Sequence, residues 1–189
     1  MDNITINNIV KSFTQSCDNY LGVFTISQLY DINFDHLRYT VIILFIDNIS
    51  KKLGHWTSII KINKKIYFLD SFGLNPKLYN LNLKRIFNSR VTYNYYYLNK
   101  KTQSEESSGC GAYVVFYIHT LVRCKYRISC FKKSILQNLR HENTLLNDHF
   151  IYLYVSKHFN DILPYTCKQL FCNTKFIINR KSCIKHICK

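Results

Sequence analysis

The residue in this chain best suited to covalent chemistry is Cys110, set in Gly109-Cys110-Gly111 at the head of the apolar run Ala112-Tyr113-Val114-Val115-Phe116-Tyr117-Ile118. A thiol becomes a nucleophile when its pKa falls, and a helix N-terminus or a neighbouring imidazole lowers it. If the run is helical, Cys110 lies in its first turn. Glycine on either side lets the backbone turn tightly and gives a substrate close access to the sulfur. Taken alone, such a cysteine is more often a buried core thiol.

Two upstream residues supply the rest of a thiol-activating set. His55, in Gly54-His55-Trp56, stands where one apolar segment begins, and Asp70 closes another in Tyr67-Phe68-Leu69-Asp70-Ser71-Phe72-Gly73, fifteen residues on. If the segments are neighbouring strands, a carboxylate at the end of one can hold the imidazole at the start of the other. Asp70 then fixes the tautomer of His55, and His55 takes the thiol proton to give an imidazolium and a thiolate. Gln103 lies seven residues before Cys110, at the start of the loop Gln103-Ser104-Glu105-Glu106-Ser107-Ser108. Folded back beside the sulfur, its amide and the backbone N–H of Cys110 could stabilise an oxyanion. By itself it reads as an ordinary exposed loop glutamine.

The elements that must position these groups are legible in the apolar patterning. Thr40 to Asp47, Trp56 to Ile62 and Ile66 to Asp70 read as successive strands, the last two joined by Asn63-Lys64-Lys65. Val91 to Leu98, dense in tyrosine, reads as another strand. Ile4, Ile6, Ile9, Val10 and Phe13 are spaced like one helix face over residues 4–14. Cys17 to Ser27, with Gly22, reads as irregular. Leu78 to Asn88, Lys132 to Arg140 and Leu145 to Phe159 read as helices. The segment from Cys110 to Leu121 is apolar all round, as in a helix buried at a domain centre. The expectation is an α+β fold: a mixed or antiparallel central sheet, a buried catalytic helix and flanking helices, in one domain over residues 1–189.

Composition bounds the function classes. With 47% hydrophobic residues, 13 Phe and 15 Tyr against 5 Gly and 2 Pro, intrinsic disorder is excluded. The longest apolar runs, Val41 to Ile46 and Ala112 to Ile118, fall far short of the roughly 20 residues of a membrane span. The opening residues, with Asp2, Asn3, Asn7 and Asn8, do not resemble a secretory signal, so an intracellular chain without a membrane partner is expected. Eight cysteines spread from Cys17 to Cys188 in a chain this long point to reduced thiols. Lys and Arg number 26 against 11 acidic residues, a formal charge of +15. That excess either draws in polyanions such as nucleic acid or simply solvates the surface. The tail set Cys183, His186 and Cys188, with Cys167 and Cys172, matches no standard zinc spacing, so no metal is expected. The remaining histidines, His36, His119, His141, His149 and His158, have no partner that the sequence can point to and read as structural.

The ordered set of Gly-His-Trp, an apolar strand ending Leu-Asp-Ser-Phe-Gly, and Gln-x6-Cys-Gly opening an apolar helix resembles adenain, the adenovirus maturation protease family, with its relatives in adenovirus-like viruses and virus-like transposons. More distantly it resembles the SUMO-specific proteases. The likeness spans nearly the whole chain, from the segment Cys17-Asp18-Asn19-Tyr20-Leu21-Gly22-Val23-Phe24 to Tyr152–Phe176. It implies His55 as base, Asp70 as its orienter, Cys110 as nucleophile and Gln103 as oxyanion donor. Trp56, with Gly54 and Gly109, would line the narrow groove that accepts small residues, usually glycine.

Three departures matter. Adenain carries Glu where this chain has Asp70, the choice of the SUMO-protease branch. The Gln103-to-Cys110 spacing is that of adenain. Adenain is activated by a capsid-derived peptide disulfide-bonded to a cysteine in the strand before the catalytic loop, where this chain has Val91-Thr92-Tyr93. An activating peptide would therefore bind without that disulfide, as a strand added to a sheet edge. The family also uses DNA as a stimulating cofactor. Here Arg123, Lys125, Arg127, Lys132 and Lys133, with Lys175, Arg180, Lys181, Lys185 and Lys189, could supply sequence-independent phosphate contacts.

The resemblance thus implies a monomeric thiol endopeptidase, with no tightly bound cofactor, that cuts viral capsid and core precursor proteins in the host nucleus and virion. Two rivals remain open. One is a protease that removes ubiquitin or SUMO. The other is a basic nucleic-acid-binding protein in which Cys110 is a core residue.

Overall fold

The computed structural model describes residues 1–14, 20–34, 37, 39–47, 54–87 and 92–163. Five strands form one mixed sheet in the order β1 (Tyr20–Thr25), β2 (Tyr39–Ile46), β3 (His55–Ile62), β4 (Lys65–Leu69), β5 (Asn94–Tyr97). The three inner strands are antiparallel, while β1 runs parallel to β2 and β5 parallel to β4. The hairpin between β3 and β4 turns on Asn63, whose φ of 52° is the left-handed conformation that tight turns demand and asparagine tolerates. The α+β class and mixed sheet agree with the sequence reading.

Alternation along the strands gives each face its own core. On one side Val41, Ile43, Ile60 and Leu69 pack with the helices α1 (Asn3–Thr14), α3 (Cys110–Arg123), α4 (Ile128–Asn138) and α5 (Thr144–Phe159). On the other, Ile42, Leu44, Ile59 and Phe68 pack against Leu29, Phe34 and the short helix α2 (Leu83–Ile86). α3 is buried at every residue from Cys110 to Ile118, held between the sheet, α1 and α5. That explains a segment with no polar stripe.

Five expectations need correction. Residues 20–25 form β1 where an irregular segment was read; Gly22, at φ +123°, sits at a bulge in an otherwise regular parallel pairing with β2. The predicted helix Leu78–Asn88 is interrupted: a 3₁₀ turn, Pro76–Tyr79, ends at left-handed Asn80, and Asn82 caps α2 by accepting from the Arg85 N–H. α4 starts at Ile128, earlier than Lys132, and β5 is the shorter stretch Asn94–Tyr97.

The fifth correction is chemical. Cys124 and Cys130 form a disulfide where reduced thiols were expected. The tight connection from α3 to α4, with Lys125 and Tyr126 both at positive φ, brings the two Cα atoms within 5.7 Å, inside the normal disulfide range. Cys110 is the one free cysteine among the described residues. Among the same residues, no helix is long and apolar enough to cross a membrane.

Gly73 ties the β4 end to the catalytic loop. It lies at φ +69°, and a Cβ there would stand 2.5 Å from the backbone carbon of Lys100. Gly73→Ala should therefore lower the unfolding free energy by at least about 1 kcal/mol, read as a fall in the denaturation midpoint; an unchanged midpoint would contradict this packing.

Candidate active site

Antiparallel pairing of β3 with β4 brings the start of one strand beside the end of the other, so His55 and Asp70 meet at one end of these inner strands. His55 Nε2 lies 2.7 Å from Asp70 Oδ1. Asp70 is wholly inaccessible to solvent, and its charge is met by three further donors: the N–H of Phe72 at 3.0 Å, the N–H of Leu74 at 3.1 Å and the Tyr79 hydroxyl at 2.8 Å. A buried carboxylate needs such a set to remain charged. The Phe72 ring stacks on the imidazole at 4.8 Å between centroids, and Tyr79 follows at 5.9 Å.

With Nε2 turned to Asp70, the other face of the set is the thiol of Cys110, to which His55 is hydrogen-bonded. Burial alone would push the imidazole pKa down. The hydrogen bonds to Asp70 and Cys110, with the negative charge of both, carry it instead up to about 9. Burial alone would push the Cys110 thiol up, but the hydrogen bond and charge of His55 and the backbone N–H groups of Trp56 and Gly111 bring it below its ordinary value. Both shifts act in the direction that moves the proton from the sulfur to the imidazole. Cys110 opens α3, where first-turn N–H groups lack intrahelical partners, a second source of stabilisation for the anion.

Gln103 is fully buried, not the exposed loop side chain that composition alone suggests. Its Nε2 donates to the Ser107 carbonyl at 2.7 Å and its Oε1 accepts from the Ser71 hydroxyl at 2.5 Å. Gly109 caps α3 where a Cβ would meet the Tyr152 hydroxyl at 2.8 Å. Trp56 is almost buried; it packs on Phe45 with ring centroids 4.6 Å apart and donates its indole N–H to the Met1 carbonyl at 3.2 Å. Gly54 precedes His55 with its backbone against the Phe45 ring.

Arg123, Lys125, Arg127, Lys132 and Lys133 are all exposed and gather around the α3–α4 connection. They stand at the opposite end of α3 from Cys110, about 20 Å away at helical rise. Lys175, Arg180, Lys181, Lys185 and Lys189 lie outside the described residues, as do Cys17, Cys167, Cys172, Cys183, His186 and Cys188. Among the described residues no group of three or more His, Cys, Asp or Glu could hold a metal ion.

Several contributors were not evident from sequence. Tyr79 carries no spacing signal at all. Asp148 and Asn147 lie in an α5 that also carries Thr144, His149, Ser156, Lys157 and His158, so nothing in the sequence marks them. Asp148 accepts from the N–H and hydroxyl of Ser104, and Asn147 donates to the Thr102 carbonyl, so α5 holds the loop carrying Gln103. Burial pushes the Asp148 carboxyl up, against the lowering effect of those hydrogen bonds.

A nucleophile paired with a base, an orienting acid and nearby N–H donors is the arrangement that acyl transfer through a thioester requires. No protein-family model and no curated protein matches this chain. Among solved structures, it is similar to the C-terminal Ulp1 protease domain in complex with Smt3, the yeast ortholog of SUMO, at 13% identity and TM-score 0.46, over 82% of this chain and 76% of that one. It is also similar to ChlaDub1 from Chlamydia trachomatis, at 11% identity and TM-score 0.43, over 90% of this chain and 77% of that one. The chemistry rests on the side chains described above and not on these likenesses.

The His55 ring should titrate near 9 by NMR and fall toward the ordinary imidazole range in Asp70→Asn. Iodoacetamide should alkylate Cys110 at pH 7 faster than an ordinary thiol, and His55→Ala should abolish the advantage; equal rates in the two proteins would mean that no ion pair forms.

Proposed function

We propose that the chain is a cysteine endopeptidase. The observation that carries this reading is the buried pairing of Asp70 with His55 beside Cys110, which raises the proton affinity of the imidazole and lowers that of the thiol. The Cys110 thiolate attacks a peptide carbonyl, and the oxyanion rests on the Gln103 amide and the Cys110 N–H. His55 gives its proton to the departing amine, leaving a thioester on Cys110. His55 then takes a proton from water, which attacks the thioester; the product acid leaves, and thiolate and imidazolium are restored.

The substrate assignment follows the family resemblance. Cleavage beside small residues, usually glycine, in capsid and core precursor proteins is what that resemblance implies, with Trp56 and Gly109 lining the groove. Stimulation by DNA suits the exposed basic cluster from Arg123 to Lys133 and the charge of +15. Because that cluster is far from Cys110, bound DNA would leave the nucleophile open. β5 is a sheet edge with Tyr96 and Tyr97 exposed, an edge on which a noncovalent activating peptide could add a strand. Action in the host nucleus and virion belongs to the same reading.

A second reading, removal of ubiquitin or SUMO, is favoured by Asp70, the orienting acid of that branch, which here reaches His55 in full hydrogen-bonding contact. A purely nucleic-acid-binding role would leave the ion pair without a task.

Short Gly-containing fluorogenic peptides should be cut by the wild-type protein and not by Cys110→Ala, with a DNA stimulation that fades as salt rises. Cleavage confined to ubiquitin or SUMO C-terminal conjugates would move the assignment to the second reading, and absence of a DNA effect at low salt would remove the cofactor alone.

A further inference from the structure

Resting on the protease reading, we infer that Ser71 is a positioning residue for the oxyanion donor: its hydroxyl fixes which end of the Gln103 amide faces the reacting centre. A glutamine amide has an acceptor end and a donor end related by a half-turn, and only its partners decide between them. Both partners are present here. The Ser107 carbonyl can only accept, so it requires Nε2 on its side, at 2.7 Å. The Ser71 hydroxyl, 2.5 Å from the other end, donates to Oε1.

The two contacts act together. Nε2 uses one N–H on Ser107 and keeps a second for an oxyanion, while Oε1, the atom that would repel that oxyanion, is held toward Ser71. Ser71 and Gln103 are both buried, so water does not compete for either contact. The backbone is arranged for the same purpose. The Ser71 carbonyl accepts from the N–H groups of Thr102 and Gln103, at 2.8 Å and 3.0 Å, and from the Thr102 hydroxyl at 3.1 Å. The residue that follows Asp70 in sequence is thereby stitched to the residue that stabilises the product of attack. One dipeptide, Asp70-Ser71, orients the base with one side chain and the oxyanion donor with the other.

The test compares a reaction that develops an oxyanion with one that does not. In Ser71→Ala, turnover of a Gly-containing peptide should fall about tenfold or more with KM little changed, a part of the about hundred- to thousandfold that loss of an oxyanion donor costs. Alkylation of Cys110 by iodoacetamide, a displacement at carbon that forms no oxyanion, should keep its rate and pH profile. Adding Ser71→Ala to Gln103→Ala should cost little more than Gln103→Ala alone, since the two act as a unit. Undiminished turnover in Ser71→Ala, a parallel loss of alkylation, or fully additive losses in the double variant would each overturn the assignment. Wild-type turnover no greater than that of Cys110→Ala would instead overturn the protease reading, and this role with it.

Discussion

The contact on which the site depends is the one between the Asp70 carboxylate and the His55 ring. A carboxylate out of reach of water is costly unless its lone pairs are all engaged, and Asp70 is engaged by an imidazole, two backbone N–H groups and a phenol. Each donor comes from the segment that follows β4 or from the strand beside it. The turn at 70–74 is thus shaped around a charge, and the charge in turn lifts the proton affinity of the ring that faces the sulfur. Without it, burial would weigh against the charged imidazole with only the thiol of Cys110 to oppose it.

The antiparallel β3–β4 pairing is the means by which the fold delivers this contact. It places a strand beginning beside a strand end, and the first turn of α3 lies at that same end of the strands. α3 is buried along its first nine residues, so packing fixes the position from which the nucleophile acts. Adaptability is left to the loop at 99–109, and even that loop is tied to α5 through Asn147 and Asp148 and to β4 through Ser71.

What was legible in the sequence follows the same division. β2, β3 and β4 show as β-rich apolar runs because both their faces are buried, and α1 shows as a helical stripe because burial on one face writes a period into it. His55, Asp70 and Cys110 could be ordered because each sits at an element boundary marked by glycine. β1 was obscured because its six residues are all half-buried, with no alternation, and Gly22 breaks the run. The helix read over 78–88 failed at Asn80, where a left-handed residue outweighed a favourable apolar spacing. Ser71, Tyr79 and Asp148 were invisible for another reason. Their roles arise from contacts across long stretches of chain, and a lone hydroxyl or carboxyl has no spacing that announces its partner.

The clasp between Cys124 and Cys130 has a consequence for handling and for environment. The nucleophile works only as an unoxidised sulfur, whereas the joint between α3 and α4 is closed only while its two sulfurs are bonded to each other. A dithiol added to keep one in working order also attacks the other, so the two ends of a single helix favour opposite redox poises. Handling conditions must therefore respect both sulfur states, the free thiol of Cys110 and the bonded pair of Cys124 and Cys130.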